Sequence, residues 1–291
     1  MNSIPYDTDT MAGRESAPAG SYELIAFDMD GTLLDSGKQV LPDSLEMISR
    51  AVKAGKSVAL STGRSLPELA LHLELLKDVR YLICVSGALV YDRREQKVIY
   101  AGTLTPEMVF QIMDLSADQD LMLHMTCEES MVDSVQLYQM ARYNMAVYQE
   151  PFLITASPKK DLRGYYRAHP VPLYKCNLYT QGEAQRQLMR SRLAGSGLML
   201  VDSEISSLEC SAPGVSKGRG LIELCKYLNI PVEKSIAVGD ADNDLEILKT
   251  AGLAVAMGNS NERVKAIADV IVADNDHGGC AQAIRDYLLA K

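Results

Sequence analysis

The chain predicts an α/β protein: a mainly parallel sheet with helices on both faces and a second α/β unit inserted into it. Three observations carry this. Short apolar runs alternate with helical patterns near both ends of the sequence, and such alternation implies parallel strands joined by helical crossovers. Clusters of Asp, Thr, Gly and Lys fall where three apolar runs stop and where one helix starts, and ligands of parallel sheets bind beyond the carboxyl ends of the strands. The stretch 91–210 between the two alternating regions has strand and helix signals of its own.

From the N-terminus, residues 1–21 are polar, with no basic start followed by an apolar core, and read as a mobile extension rather than a secretory signal. A buried strand is expected over 23–27. Pro42 and Asp43 start a helix that Gly55 stops, with Leu45, Ile48, Ala51 and Val52 as its buried stripe. A strand at 57–61, a helix at 66–76 and a strand at 81–85 follow. The alternation resumes with a helix at 217–228, a strand at 235–238 and a helix at 243–251. Strand 253–257, helix 261–268, strand 270–273 and helix 279–289 complete it. The core is therefore placed at 22–90 and 211–291. The inserted unit, 91–210, has strands expected at 97–100, 121–126 and 175–179 and helices at 106–115 and 183–193. Methionines 108, 113, 122, 125, 131, 140 and 145 fill its interior.

The 291 residues suffice for two domains of ordinary size, and 47% apolar with 23% charged residues is a globular composition. A balance of 29 Lys+Arg against 38 Asp+Glu, −9 in all, argues against a general nucleic-acid or anionic-membrane binder. An anionic substrate is not excluded, because local charge and a bound cation decide that. Six cysteines, at 84, 127, 176, 210, 225 and 280, show no paired zinc spacing, and four histidines form no metal-protease pattern. They suit buried thiols of a reducing cytoplasm. No apolar run approaches the roughly 20 residues needed to span a bilayer. The assembly is left as a monomer or a homodimer.

The most informative stretch is Phe27-Asp28-Met29-Asp30-Gly31-Thr32. Residues i and i+2 of a strand share a face, so Asp28 and Asp30 would converge beyond the first strand. Two carboxylates that close raise each other's proton affinity unless a cation or shared proton relieves them. A hard divalent ion with oxygen ligands, Mg²⁺ in particular, is the natural counter-charge. Alone, the stretch also suits an Asp-rich turn. Ser61-Thr62-Gly63-Arg64 follows the second strand and Gly239-Asp240-Ala241-Asp242-Asn243-Asp244 a late one, while Gly214-Val215-Ser216-Lys217-Gly218 opens a helix. A helix start with free N–H groups and a lysine charge suit a phosphate. Carboxylates for a metal, a hydroxyl and a lysine together suit phosphoryl transfer.

These four segments, in this order, resemble the four motifs of the haloacid dehalogenase superfamily of phosphohydrolases. The late acidic segment, with Ala256-Met257-Gly258-Asn259-Ser260 and Val264-Lys265-Ala266-Ile267-Ala268, resembles its Cof-like branch, subclass IIB. The resemblance covers 23–90 and 210–291 and implies a Rossmann-like core with an α/β cap over the site. It implies Asp28 as the nucleophile, giving an aspartyl-phosphate, and Asp30 as the general acid/base. An acid of this kind is expected to have a raised proton affinity. Thr62, Gly63, Lys217 and Asn243 would hold the phosphoryl group. Asp28, the Asp30 carbonyl and Asp240 would hold Mg²⁺, with Asp244 on metal-bound water or on Lys217.

Duller readings stand beside these. Thr62-Gly63 also suits a plain turn, Arg64 a solvated helix start, Lys217 an exposed lysine, and Asp242 and Asp244 charges that answer a helix dipole. Tyr165, Tyr166, Arg167, Tyr174 and Lys175 are candidate substrate contacts in the cap, although tyrosines are more often packing. Ser86 stands where the family usually places Asn, which bears on the cap hinge. The implied activity is a Mg²⁺-dependent phosphatase for a small phosphorylated metabolite, such as a sugar phosphate. A phosphomutase and a non-catalytic phosphometabolite-binding regulator are the alternatives. A P-type pump is excluded because no membrane span is present, and a dehalogenase has no need of Asp30.

Overall fold

Runs in which every side chain is buried build the centre of the molecule. The first is Leu24–Phe27, β1. It is followed by β2 (Ser57–Ser61), β3 (Tyr81–Cys84), β4 (Leu89–Asp92) and β5 (Lys97–Ala101). In the middle of the chain come β6 (Met122–Thr126), β7 (Ser130–Asp133), β8 (Ser157–Lys159), β9 (Lys175–Tyr179), β10 (Met199–Glu204) and β11 (Ser207–Ser211). The last three are β12 (Ser235–Gly239), β13 (Leu253–Ala256) and β14 (Val270–Ile271). This computed structural model describes residues 21–290, so all but Ser21 of the extension expected over 1–21 lies outside the described residues.

Among the described residues the strands form an eight-stranded sheet, β14-β13-β12-β1-β2-β3-β4-β5, and a six-stranded one, β10-β11-β9-β6-β7-β8. From β14 to β3 the larger sheet is parallel, as the β/α alternation predicts. Its register positions the site. Phe27 of β1 lies beside Val238 of β12 and Leu60 of β2. The residues just past those positions, Asp28, Asp240 and Thr62, therefore leave the sheet side by side at one end.

Local sequence sets the helices. Pro42 starts Pro42–Lys53, whose buried stripe is Ser44, Met47, Ile48 and Ala51. Val52, expected inside, is exposed. Leu66–Leu73 opens on a capping box between Ser65 and Glu68 and ends three residues before expectation. Lys217–Leu228 starts at Ser216, whose hydroxyl accepts from Arg219 N, and stops at left-handed Asn229. The acidic segment begins as a 3₁₀ turn, Asp242–Asp244, before Leu245–Thr250.

The smaller sheet has two unlike faces, because alternate residues point opposite ways. Leu123, Met125, Cys176, Leu178, Leu208 and Cys210 join the core with Val109, Ile112, Met113, Met189 and Leu193 from helices Pro106–Leu115 and Glu183–Leu193. The other face is polar yet buried: His124, Thr126, Lys175, Asn177, Ser207 and Glu209. Of the methionines, 113, 122, 125, 131, 140 and 145 are buried and Met108 packs against the core.

Two differences from the sequence reading have physical reasons. The strand expected at 97–100 in the inserted unit is β5, and it completes the larger sheet rather than the unit placed at 91–210. Its hairpin with β4 is antiparallel, and Arg93 pins it to the core by donating to the carbonyls of Leu73, Leu76 and Val79. Strands β4, β7, β8, β10 and β11 are not among those the sequence predicts. They are short or half polar, as Asp202-Ser203-Glu204 and Ser206-Ser207 show, so little apolar periodicity marks them.

Asp92, fully buried at the end of β4, accepts from Arg80 Nη2 at 2.7 Å and Nε at 2.9 Å and from the N–H groups of Arg94 and Glu95. Burial alone raises its pKa, but these bonds outweigh burial and hold the carboxyl below its ordinary value. Its contribution to stability is thus present above the usual carboxylate range and lost as pH falls through the depressed pKa. Asp92→Ala is expected to cost about 2–3 kcal/mol at pH 7, read from urea unfolding midpoints. That difference should shrink towards acid pH.

Candidate active site

The ends of β1 and β12 and the start of helix Lys217–Leu228 bring one lysine and three carboxylates together. Lys217 Nζ donates to Asp28 Oδ1 at 2.6 Å and to Asp244 Oδ1 at 2.7 Å, with only 1% of its side chain exposed. Asp28, Asp240 and Asp244 each place an oxygen within 4.8 Å of the others. The second oxygen of Asp244 accepts from the N–H groups of Asp240 and Ala241, so the turn holds its own acid in place. Lys217 is therefore not an exposed lysine, and Asp244 does more than answer a helix dipole.

The electrostatics follow from crowding. Burial, then the neighbouring Asp244, push the Asp28 carboxyl up to about 8 against the pull of Lys217. Burial likewise carries Asp240 to about 6, although the Thr32 hydroxyl, donating at 2.7 Å, opposes it. Burial works to lower Lys217, but Asp244 and Asp28 outweigh it and hold the ammonium well above its ordinary value. Three acids face one ammonium.

Such a set fits a hard divalent cation, whose charge would relieve the repulsion. Close approach of the backbone supports the fit. Gly31 has φ +81°, and a Cβ built on it would lie 2.5 Å from Asp240 Oδ2. Any side chain there would fill the ground between β1 and the acids.

The remaining candidates are placed as follows. Thr62 is buried, its hydroxyl accepting from Arg64 N at 3.2 Å. Thr62, Gly63 and Asn243 line a cavity of about 530 Å³ together with Asp28 and Asp30. Asp242 turns to Arg263 and Asn261. Among the cap residues singled out, Lys175 lines the cavity. Tyr166 is buried with its hydroxyl on Val171 O, Tyr174 bonds Glu128, Arg167 pairs with Asp114 and Tyr165 stacks near His169. None of these four borders the cavity.

Asp30 differs from expectation. Its side chain is 43% exposed and turns to Arg64 Nη2 at 2.8 Å and Lys38 Nζ at 2.7 Å, rather than converging on Asp28. Burial favours the protonated acid, but the two cations outweigh it and lower the pKa. The raised proton affinity expected of a general acid is not found, because Arg64 and Lys38 stabilise the carboxylate.

Sequence reasoning missed Thr32, buried on Asp240, and Asn259, whose Nδ2 donates to Gly31 O at 2.8 Å. It also missed the far wall of the cavity: His124, Asn177, Tyr179, Ser207 and Glu209, with Phe152 and Tyr148. Thr32 follows the acidic motif directly and was legible as a hydroxyl beside carboxylates. The wall residues had no shared signal.

Over most of its length the chain is similar to known proteins. The sequence profile described as haloacid dehalogenase-like hydrolase matches residues 25–284. Phosphatase YwpJ of Bacillus subtilis is 29% identical over 290 residues, covering 91% of this chain and 100% of that protein. The chloroplastic endoribonuclease YBEY of Arabidopsis thaliana is 29% identical over 289 residues, 91% of this chain, and the chain spans 46% of its length. Among solved structures, a haloacid dehalogenase-like hydrolase from B. subtilis has a TM-score of 0.79 at 27% identity, over 90% of this chain and 99% of that one.

Proposed function

The chain belongs to the haloacid dehalogenase-like hydrolases, and from that premise we propose that it is a Mg²⁺-dependent phosphatase of a small phosphorylated metabolite, carrying the phosphoryl group on Asp28. One observation supports this above others: Lys217 holds Asp28 and Asp244 at once, with Asp240 beside them, at the carboxyl ends of adjacent parallel strands.

Asp28 attacks phosphorus in line, so that one hard displacement becomes two easier ones. Lys217 keeps the attacking carboxylate oriented and balances charge on the phosphoryl oxygens. The Thr62 hydroxyl, the Gly63 N–H and Asn243 hold those oxygens from the cavity side. Asp28, Asp240 and Asp244, with the Asp30 carbonyl, would hold Mg²⁺, which when bound supplies positive charge to the phosphoryl oxygens. Asp30 delivers a proton to the leaving alcohol and then takes one from the attacking water. As an ionised carboxylate between Arg64 and Lys38 it starts in the base form, so it must acquire a proton before the first step.

The unit bearing the smaller sheet acts as the cap. Its polar face closes the cavity over Thr62 and Gly63, which excludes bulk water and reads the leaving group. The six cysteines are unpaired, which supports a reducing, cytoplasmic setting. Among the described residues no helix is long and apolar enough to cross a membrane.

The reading is tested by turnover of p-nitrophenyl phosphate with release of inorganic phosphate. EDTA should lower kcat about a thousandfold, and added Mg²⁺ should restore it and raise the thermal midpoint. Full activity in EDTA would remove the metal from the proposal. Retention of a bisphosphate, with no free phosphate, would favour a mutase.

A further inference from the structure

The loop after β3 is the most distorted backbone near the site. Val85 and Ser86 adopt φ of 52° and 57°, and Gly87 one of 92°. A β-branched residue at positive φ is costly and persists only where its surroundings impose it. Here they do. Val85 N donates to Arg64 O and Ser86 N to Thr62 O, each at 3.0 Å. On the other side a Cβ on Gly87 would lie 1.9 Å from the carbonyl oxygen of Ser216, the residue that caps the Lys217 helix. One short loop thus braces both segments assigned to the phosphoryl group.

The cap grips this loop. Ser86 Oγ donates to Glu209 Oε2 at 2.8 Å. Glu209 Oε1 accepts from Lys175 Nζ at 2.9 Å, and Lys175 Nζ donates again, to Gly63 O, at 3.0 Å. The Lys175 and Glu209 side chains are 4% and 12% exposed. A Cβ on Gly63 would stand 3.5 Å from Ser86 Oγ, 3.7 Å from Lys175 Nζ and 3.8 Å from Glu209 Oε1. All three groups therefore gather over the glycine of the phosphate segment. A buried ion pair is weak evidence of stability, and this one spends two of its hydrogen bonds across the gap between sheets.

We propose that Lys175 and Glu209 form a latch between cap and core, engaged through Ser86 and Gly63 O, that sets the phosphate-holding geometry of Thr62, Gly63 and Lys217 when the cap is closed. Ser86, Lys175 and Glu209 are positioning residues. The inference rests on the phosphoryl-transfer reading above. It also gives Ser86 a reason to stand where an asparagine was expected: both residue types carry a donor for Glu209, and Asn tolerates the left-handed conformation better.

If the latch selects the competent arrangement, weakening it lowers the fraction of molecules ready to bind phosphate. Apparent affinity falls by that fraction, while saturating ligand still draws the arrangement together. Ser86→Ala should therefore raise KM for p-nitrophenyl phosphate and the Kd of inorganic phosphate together, by about tenfold, with kcat within about twofold. Ser86→Asn should restore both. The double variant Ser86→Ala/Glu209→Ala should be no worse than Glu209→Ala alone, since either change already removes the Ser86–Glu209 bond. Unchanged KM and phosphate Kd in Ser86→Ala would overturn the latch, as would a fall in kcat that tracks the folded fraction at constant KM. Multiplicative losses in the double variant would also overturn it. Phosphate Kd is read by calorimetry, without turnover, so a protein that binds phosphate through this latch but hydrolyses nothing would sink the hydrolase reading alone.

Discussion

Asp28→Asn is expected to abolish turnover, lowering kcat by at least about 10⁴-fold, because it removes the atom that attacks phosphorus while keeping shape and one hydrogen-bond acceptor for Lys217. Loss of a covalent phosphoryl adduct by mass spectrometry should accompany it. The same change should not weaken the fold. Burial and Asp244 push the Asp28 carboxyl from 3.8 to about 8. A raised acid favours the folded state when protonated, and that contribution is lost as pH rises through about 8. Without divalent cation, Asp28→Asn should therefore match the parent near pH 4 and unfold at higher temperature than the parent at pH 8.5. A variant that kept substantial activity would sink the nucleophile assignment. One that was inactive but less stable at both pH values would mean that the carboxylate has a structural role instead.

The sheet and the acid cluster were legible because both depend on short-range rules. Strand ends are marked by the residues that follow them, and parallel register then brings Asp28, Thr62 and Asp240 abreast without further information. Lys217 was legible through its place at a helix start. What the sequence hid depends on long-range pairing. Ser86 and Glu209 are 123 residues apart, and neither belongs to a pattern that names the other. The polar face of the smaller sheet offers His124, Asn177 and Glu209 at strand alternation, which looks like an ordinary solvated face until the segment after β2 and the helix Gln149–Thr155 come to lie against it. The strand at 97–100 is expected in the inserted unit and instead pairs with β4 in the larger sheet for a similar reason, since a strand's periodicity does not say which neighbour it pairs with.

Asp30 shows how partners outside the motif change a residue's chemistry. Two residues along from Asp28 it was expected to share the same point and a raised pKa. Arg64 comes from the loop after β2 and Lys38 from the turn after β1, and together they hold Asp30 aside as a carboxylate. That position suits a group that must swing between leaving group and water. It also means that the two chemical steps depend on Asp30 differently, which an experiment can separate.

Asp30→Ala should leave the first step nearly intact for p-nitrophenyl phosphate, whose leaving group departs as a stable anion and needs little protonation. It should cripple the second step, where water must lose a proton to attack the phosphorylated Asp28. Stopped-flow mixing is therefore expected to show a burst of p-nitrophenolate close to one equivalent per enzyme, followed by turnover about 10³-fold slower than the parent, within the range that a positioned acid/base contributes. With an alkyl phosphate, whose alkoxide is a poor leaving group, no burst should appear, since the first step also requires the proton. Equal slowing for aryl and alkyl esters without a burst would show that Asp30 acts before phosphoryl transfer, as an anchor for Arg64 and Lys38 rather than as the proton carrier. Parent-like steady-state rates with both esters would remove Asp30 from the chemistry altogether.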